Sequence, residues 1–321
     1  MKDAETRLIT LDDIRAAAAR IAPYVSATPI VALSRGGLGL KAESLHPTGA
    51  FKLRGAFNAL LSLSPEARTK GVVAHSSGNH AQAVAYAAHV LGARAVVVMP
   101  NNAPAAKLAA TRGWGAEVMI VGPAGAERAA KAEELAASDG LTPVPPFNAM
   151  EIIAGTGTIA LEILKDRPDV ACVAVPVSGG GLVSGVAAGL KLSNPRIRVI
   201  GVEPELADDA AQSLRSGTLT AITAEAANRT IADGLRVQQL GAVNWPHVRA
   251  FVDEIVTVSE DAIKAAMRRI ATGARLVAEP SGAVALAGML AMGDLAPDRS
   301  VAILSGGNVD LDVYARILSE G

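Results

Sequence analysis

Lys52 lies in Thr48-Gly49-Ala50-Phe51-Lys52-Leu53-Arg54-Gly55, an ammonium among mostly small and apolar neighbours. A surface lysine keeps its proton until about pH 10. Held in a partly dry pocket, it can lose that proton and attack a carbonyl carbon to form a Schiff base. The bland alternative is a lysine at the start of a surface helix, where most lysines are exposed. Other segments could complete a site around it. Ser178-Gly179-Gly180-Gly181-Leu182 lets backbone N–H groups approach an anion, and the helix expected after it would aim its positive end at the same point. A tight turn accounts for a glycine run equally well. No Gly-Lys-Ser/Thr follows, and no Gly-x-Gly-x-x-Gly with a ribose-binding acid, so one phosphate without a nucleotide is the better fit. Ser76-Ser77-Gly78-Asn79-His80 offers hydroxyl, amide and backbone donors suited to a substrate carboxylate. N-capping by Ser77 or Asn79 would explain the same residues. Ser305, in Leu304-Ser305-Gly306-Gly307-Asn308, is either a ligand or a simple turn residue.

Rigid elements must bring these loops together. Apolar, β-rich runs at Gly71–His75, Arg94–Met99, Glu117–Val121, Ala171–Val177, Arg198–Glu203 and Ser300–Leu304 predict strands. Continuous apolar runs are expected where both faces of a strand are covered. Alanine-rich stretches at Ala81–Leu91, Ala105–Arg112, Ala126–Ala137 and Gly155–Leu164 predict helices between them, with Val183–Leu190 after the glycine run. Pro104 suits a first helical turn. The alternation argues for parallel βαβ units, hence an open α/β sheet. Ligands of such sheets bind beyond the carboxyl ends of the strands, where all of these loops fall. The proline-rich Thr142–Asn148 cannot continue a helix and is expected to carry the chain between lobes. Residues 66–148 then form a small domain, and 1–65 with 149–321 a larger one. No clear periodicity marks Glu205–Asn228.

Composition excludes several function classes. At 321 residues the chain can build two lobes. Half of it is hydrophobic but only 3% is aromatic, which suits layered helices and sheet rather than a surface for stacking bases. A net charge of −1 with scattered basic residues gives nucleic acid no electrostatic footprint. Cys172, the single cysteine, excludes an internal disulfide and reads as a buried structural thiol in Val170–Val175. No secretory signal follows the charged start Met1–Arg7, and no apolar stretch approaches the ~18 residues of a membrane helix. A cytoplasmic protein without a membrane or nucleic-acid partner is expected.

Taken in order, Pro47–Ala56, Ser76–Gln82, Gly179–Gly181 and Ser305–Asn308 resemble the fold-type II pyridoxal-phosphate enzymes, and within them the serine/threonine dehydratase and serine racemase branch. Ala154-Gly155-Thr156-Gly157-Thr158, Ala232-Asp233-Gly234 and Glu279-Pro280-Ser281-Gly282 extend the likeness over nearly the whole chain. The resemblance implies two open α/β domains with mainly parallel sheets and pyridoxal 5'-phosphate in the cleft between them. It implies that Lys52 holds the cofactor as a Schiff base with Phe51 beside the ring, and that Ser178, Gly179, Gly180, Gly181 and Leu182 cradle the phosphate. Asn79 would meet the phenolic oxygen and Ser305 the pyridine nitrogen, while Ser76, Ser77, Gly78 and His80 would line the carboxylate pocket. A serine cannot keep the ring nitrogen protonated as an aspartate would, which favours loss of a β-substituent over a long-lived carbanion.

The implied reaction is ammonia-lyase chemistry: L-serine or L-threonine becomes a 2-oxo acid and ammonia, with Lys52 taking the Cα proton. One alternative is a serine racemase, with Ser77 as the acid/base opposite Lys52. Another is a 3-hydroxyaspartate ammonia-lyase, in which Arg128 pairs with the second carboxylate; otherwise Arg128 is an exposed residue on an alanine-rich helix. Glu203-Pro204-Glu205-Leu206-Ala207-Asp208-Asp209 resembles the family's divalent-cation site. Glu203 and Asp209 would give carboxylates and Ala207 a backbone oxygen, to Mg²⁺, Ca²⁺ or Mn²⁺. By themselves these acids read as a solvated loop. Members of the branch are often homodimers, so a homodimer is expected.

Overall fold

The computed structural model describes residues 7–33, 37–76, 78–103, 105–292 and 297–320. The chain opens with α1 (Leu11–Ile21), whose N-terminus is closed by a reciprocal capping box between Thr10 and Asp13. The strands β1 (Ile30–Ala32) and β2 (Gly39–Ala42) follow, then α2 (Lys52–Leu61) and α3 (Pro65–Lys70). A run of βα units comes next: β3 (Val72–His75), α4 (Asn79–Leu91), β4 (Ala95–Pro100), α5 (Ala105–Gly113), β5 (Glu117–Val121), α6 (Gly125–Asp139) and the two-residue β6 (Thr142–Pro143). The rest is α7 (Met150–Asp166), β7 (Cys172–Pro176), α8 (Gly181–Ser193), β8 (Arg198–Pro204), α9 (Asp209–Ser216), α10 (Ala224–Ala227), α11 (Trp245–Phe251), β9 (Glu254–Val258), α12 (Glu260–Arg269), α13 (Pro280–Ala291), β10 (Ser300–Leu304) and α14 (Leu311–Ser319).

These strands make two sheets. One has six strands in the order β1-β2-β10-β7-β8-β9, parallel except for the β1–β2 pair; the other has four in the order β5-β4-β3-β6, all parallel. Central strands β4, β7 and β10 are buried throughout, which is why their sequences are unbroken apolar runs. Along β3, Val72 and Ala74 join the core shared with α2 and α4, while Val73 joins Ala132 and Leu135 of α6 on the other face. The larger sheet is covered by α12 and α13 on one side and by α7, α8 and α11 on the other.

The predicted strands are all present within a residue or two. Those missed have a physical reason. β2 carries Lys41, fully buried because its ammonium pairs with Glu162 at 2.5 Å and with the Thr28 carbonyl, so the run does not look apolar. β9 is an edge strand, half-exposed and bearing Glu254 and Thr257. β6 hides in the proline-rich stretch and pairs with the edge of β3. The stretch without clear periodicity, Glu205–Asn228, contains α9 and the short α10.

Helix α2, which carries Lys52, is seated on α7. A Cβ on Gly155 would stand 2.7 Å from the Arg54 carbonyl oxygen, so only glycine lets α2 lie this close. Two residues beyond Lys52, Arg54 is 1% exposed and clamped between Glu43, at 2.7 Å and 2.9 Å, and Glu162, at 2.6 Å and 2.8 Å. Burial alone would raise the Glu43 carboxyl, but Arg54 and His46 beside it hold it below the usual carboxylate range. This fully paired buried network fixes the first turn of α2.

Candidate active site

Lys52 is the first residue of α2, and the chain entering that helix is laced to the loop after β10. Phe51 N–H donates to the Ser305 carbonyl at 3.0 Å, Gly307 N–H to the Gly49 carbonyl at 2.9 Å, and Asn308 Nδ2 to the Thr48 carbonyl at 2.8 Å. The Lys52 side chain is thereby held half-buried in a cleft of about 320 Å³, not on the surface. Nζ donates to the Pro146 carbonyl at 2.7 Å and lies 5.1 Å from the Phe51 ring centroid. Burial with no carboxylate counter-ion lowers its pKa to about 8. About a quarter of the amine is then neutral at pH 7.5, against about one part in a thousand for an ordinary lysine.

Ser178, Gly179, Gly180, Gly181 and Leu182 line the same cleft. The backbone turns at Gly180, where φ is +92°, and no side chain caps the N-terminus of α8. The Gly179 carbonyl accepts from Asn244 Nδ2 at 2.5 Å and from Gly241 N–H at 3.0 Å. A Cβ on Gly179 would sit 2.5 Å from the Phe147 ring. The first N–H groups of a helix have no intrahelical acceptor, and the helix dipole adds positive potential there. A small dianion is what this cradle can hold.

Ser76, Gly78, Asn79 and His80 line the cleft opposite. The structure assigns the N-cap of α4 to Gly78, with no side-chain capping bond, and places Asn79 as its first residue. N-capping by Asn79 is therefore not its role here. Ser77 lies outside the described residues. Asn79 instead bridges, with Nδ2 donating to Glu279 Oε1 at 2.6 Å and Oδ1 accepting from Asn308 at 2.9 Å. His80 is buried and its Nε2 lies 2.8 Å from the Val144 carbonyl. Burial, then the nearby Lys52, lowers its pKa to about 3, so it is a neutral ring whose Nε2–H is committed to that carbonyl. Ser305 is buried at the mouth of β10, with Oγ 3.5 Å from the Ser281 carbonyl.

Arg128 is not the exposed residue its alanine-rich helix suggested. It lines the cleft, donates from one terminal nitrogen to the Pro123 carbonyl at 2.8 Å, and leaves its buried Nε without a partner. Sequence reasoning gave no role to Phe147, Glu279 or Asn308. Glu279 was visible only as part of Glu279-Pro280-Ser281-Gly282, and Asn308 as the end of the serine loop. Glu279 is 2% exposed, and burial, then Asp233, raises its carboxyl to about 8.

Residues 21–306 match the sequence profile of a family described as Pyridoxal-phosphate dependent enzyme. The chain belongs to this family. An L-threonine ammonia-lyase of Thermotoga maritima is 40% identical over 98% of this chain and 79% of that one. An L-threo-3-hydroxyaspartate ammonia-lyase of Saccharomyces cerevisiae is 40% identical over 97% and 96%. A solved structure of maize serine racemase, 39% identical, aligns over 97% of both chains with a TM-score of 0.90. The two-sheet architecture is thus that of a fold-type II pyridoxal-phosphate enzyme. The residues present fit the cofactor: a desolvated lysine, and an uncapped helix N-terminus whose glycine loop has no space for side chains.

The three residues that resemble the family's cation site lie away from this cleft, where β8 runs into α9. Glu203, Ala207 and Asp209 are all within 1% of full burial, so a solvated acidic loop is excluded. Glu203 accepts N–H groups of Ala210 at 3.3 Å and Ala211 at 2.8 Å. Asp209 Oδ2 is buried without a partner. Burial raises both carboxyls, Asp209 to about 7 and Glu203 well above its ordinary value with Asp209 as a further cause. Among the described residues no group of three or more His, Cys, Asp or Glu side chains could hold a metal. A backbone oxygen would have to complete this site.

Proposed function

We propose that this protein is a pyridoxal-phosphate-dependent ammonia-lyase that converts L-serine or L-threonine to a 2-oxo acid and ammonia by α,β-elimination. The observation that carries the reading is the convergence on Lys52: the uncapped α8 N-terminus, the α4 N-terminus and Ser305 all face the cleft that holds it. When bound, the cofactor supplies the electron sink that acidifies the substrate Cα–H. The protein's own residues do the rest. The Gly179–Gly181 backbone would hold the phosphate, with Phe51 beside the ring and Asn79 and Ser305 as its polar partners. Ser76, Gly78 and the α4 N-terminus bind the carboxylate, and neutral His80 shapes that pocket without adding charge. Lys52 Nζ would hold the cofactor, and the same amine is the base placed to accept the substrate's Cα proton. The test is turnover: purified protein with cofactor should release 2-oxo acid from L-serine and L-threonine, and Lys52→Ala should abolish it. Protein that takes up no cofactor would sink the reading.

A second substrate class has support of its own. The unpartnered buried Nε of Arg128 in the cleft wall favours a substrate bearing a second carboxylate, as in 3-hydroxyaspartate. Arg128→Ala should then damage turnover of 3-hydroxyaspartate far more than that of serine; equal damage would remove the role.

The reading includes a divalent cation at Glu203, Ala207 and Asp209, supported by the orphaned Asp209 oxygen and the hard oxygen donors, with Mg²⁺, Ca²⁺ or Mn²⁺ all suited. It places the domain division at residues 66–148 against 1–65 and 149–321, following the two sheets. A homodimer is supported by exposed large apolar side chains, among them Leu45, Val277 and Leu311, which are 53%, 49% and 82% exposed. No helix of the described residues is long and apolar enough to cross a membrane.

A further inference from the structure

One charged pair in the cleft has no part in the roles above. Lys107, in the first turn of α5, donates from Nζ to Asp233 Oδ2 at 2.6 Å. Both residues line the cleft. Lys107 belongs to the βα units of the four-stranded sheet. Asp233 opens the 3-10 turn Asp233–Leu235, which is fastened to α13 by Gly234 N–H donating to Ser281 Oγ at 2.8 Å. The pair therefore spans the cleft wall from one sheet's helices to the other's. Deeper in, Asn79 spans the same gap through Glu279 and Asn308.

The two partners differ in freedom. Asp233 is presented by a turn braced on its own backbone, with Asp233 N–H donating to the Ile231 carbonyl and Leu235 N–H to the Ala232 carbonyl, each at 2.9 Å. Arg236 braces the same turn by donating to the Thr230 carbonyl at 2.7 Å and 3.0 Å. Lys107 is a flexible four-carbon arm on the opposite wall, and its side chain is only 14% exposed against 42% for Asp233. The carboxylates of Asp233, Glu279 and Asp310 all act on its charge. A cation shielded inside a ligand cleft and neutralised by a fixed acid is available to a ligand only in competition with that acid.

We propose that Lys107 and Asp233 form a specificity-determining clasp: Asp233 holds the Lys107 ammonium away from the substrate side chain and so disfavours substrates that carry a second carboxylate. A neutral β-hydroxy amino acid leaves the pair closed. A β-carboxylated one must draw Lys107 off Asp233, and gains its charge only at the expense of that ion pair. Lys107 is thus a second cation for such substrates beside Arg128, held in reserve.

The inference rests on the proposed amino-acid substrate class, and the test separates the two. The holoenzyme is titrated calorimetrically with L-aspartate and with L-alanine, neither of which has a β-hydroxyl to lose, and the ratio of their dissociation constants is compared among variants. Asp233→Asn frees Lys107 and should shift the ratio toward L-aspartate by about fivefold, the worth of a partly screened ion pair. Lys107→Gln should shift it the opposite way by a similar factor. The L-alanine affinity reports whether the cleft is intact in each variant. A purely structural role would move the ratio in neither variant or in the same direction in both, and either result overturns the proposal. Failure of every amino acid to be turned over would overturn the ammonia-lyase reading instead and leave the binding ratios to be judged on their own.

Discussion

Arg54→Met is the substitution whose consequence can be worked furthest from the structure. The wild-type guanidinium is 1% exposed and satisfies both Glu43 oxygens and both Glu162 oxygens, with a further bond of 3.1 Å to Thr158. Methionine fills similar space but removes the guanidinium, leaving the fully buried Glu43 with the Thr28 hydroxyl at 2.6 Å and His46 at 3.1 Å as its side-chain partners. Breaking one side of a buried pair costs about 3–5 kcal/mol, because an uncompensated charge stays in a dry site. For a chain of this size ~1 kcal/mol corresponds to about 2 °C, so the midpoint should fall by about 6–10 °C. Lys41 still pairs with Glu162, so the damage concentrates on Glu43. The pH dependence follows from its sign. In the wild type the Glu43 carboxyl is held below its unfolded value, so its stabilisation is present above the unfolded pKa and is lost only as pH falls. In the variant, burial without Arg54 raises that pKa, and protonation relieves the penalty on the acid side. The gap between the two proteins should be widest near pH 7 and should narrow toward pH 5. The assay is calorimetric or urea unfolding of both proteins across that range. A neutral-pH loss below about 1 kcal/mol, or a gap independent of pH, would refute the account of this network.

Three further outcomes are expected. Gly180→Ala forces a side chain into φ +92° with Cβ 2.9 Å from both Asn244 and Leu240, so the cofactor dissociation constant should rise by about tenfold or more, measured by equilibrium dialysis. Asp209→Asn, or treatment with a chelator, should lower the thermal midpoint of wild-type-like holoenzyme; a chelator should then have no further effect on the variant, and a midpoint unmoved by chelation would remove the cation from the proposal. Ser77→Ala should abolish any interconversion of L- and D-serine while leaving elimination of the L-substrate largely intact, followed by chiral chromatography and 2-oxo acid release together.

Much of the architecture was legible because parallel central strands must be apolar on both faces, which leaves unbroken runs such as Ser300–Leu304 in the sequence. The glycine loop was legible for a related reason: Gly179 and Gly181 admit no Cβ beside Phe147, and such a requirement marks itself in residue type. What escaped was whatever depends on partners distant in sequence. Lys41 looks like a surface residue until Glu162 neutralises it, and so β2 was not predicted. Glu279 gains its place in the cleft from Asn79, two hundred positions away. Arg128 was judged by its own alanine-rich helix, but exposure is set by what the helix faces, and here that is the cleft. Glu203 and Asp209 looked like a solvated loop because burial of an acid cannot be read from the acid itself.

The central claim is that Lys52 is the residue that holds the cofactor. Borohydride reduction of the holoenzyme makes the lysine–cofactor bond permanent, and proteolysis with mass spectrometry then locates the added mass. The account predicts the adduct on the peptide containing Lys52, with none in Lys52→Ala. An adduct on Lys41, on Lys107 or on no lysine at all would contradict it.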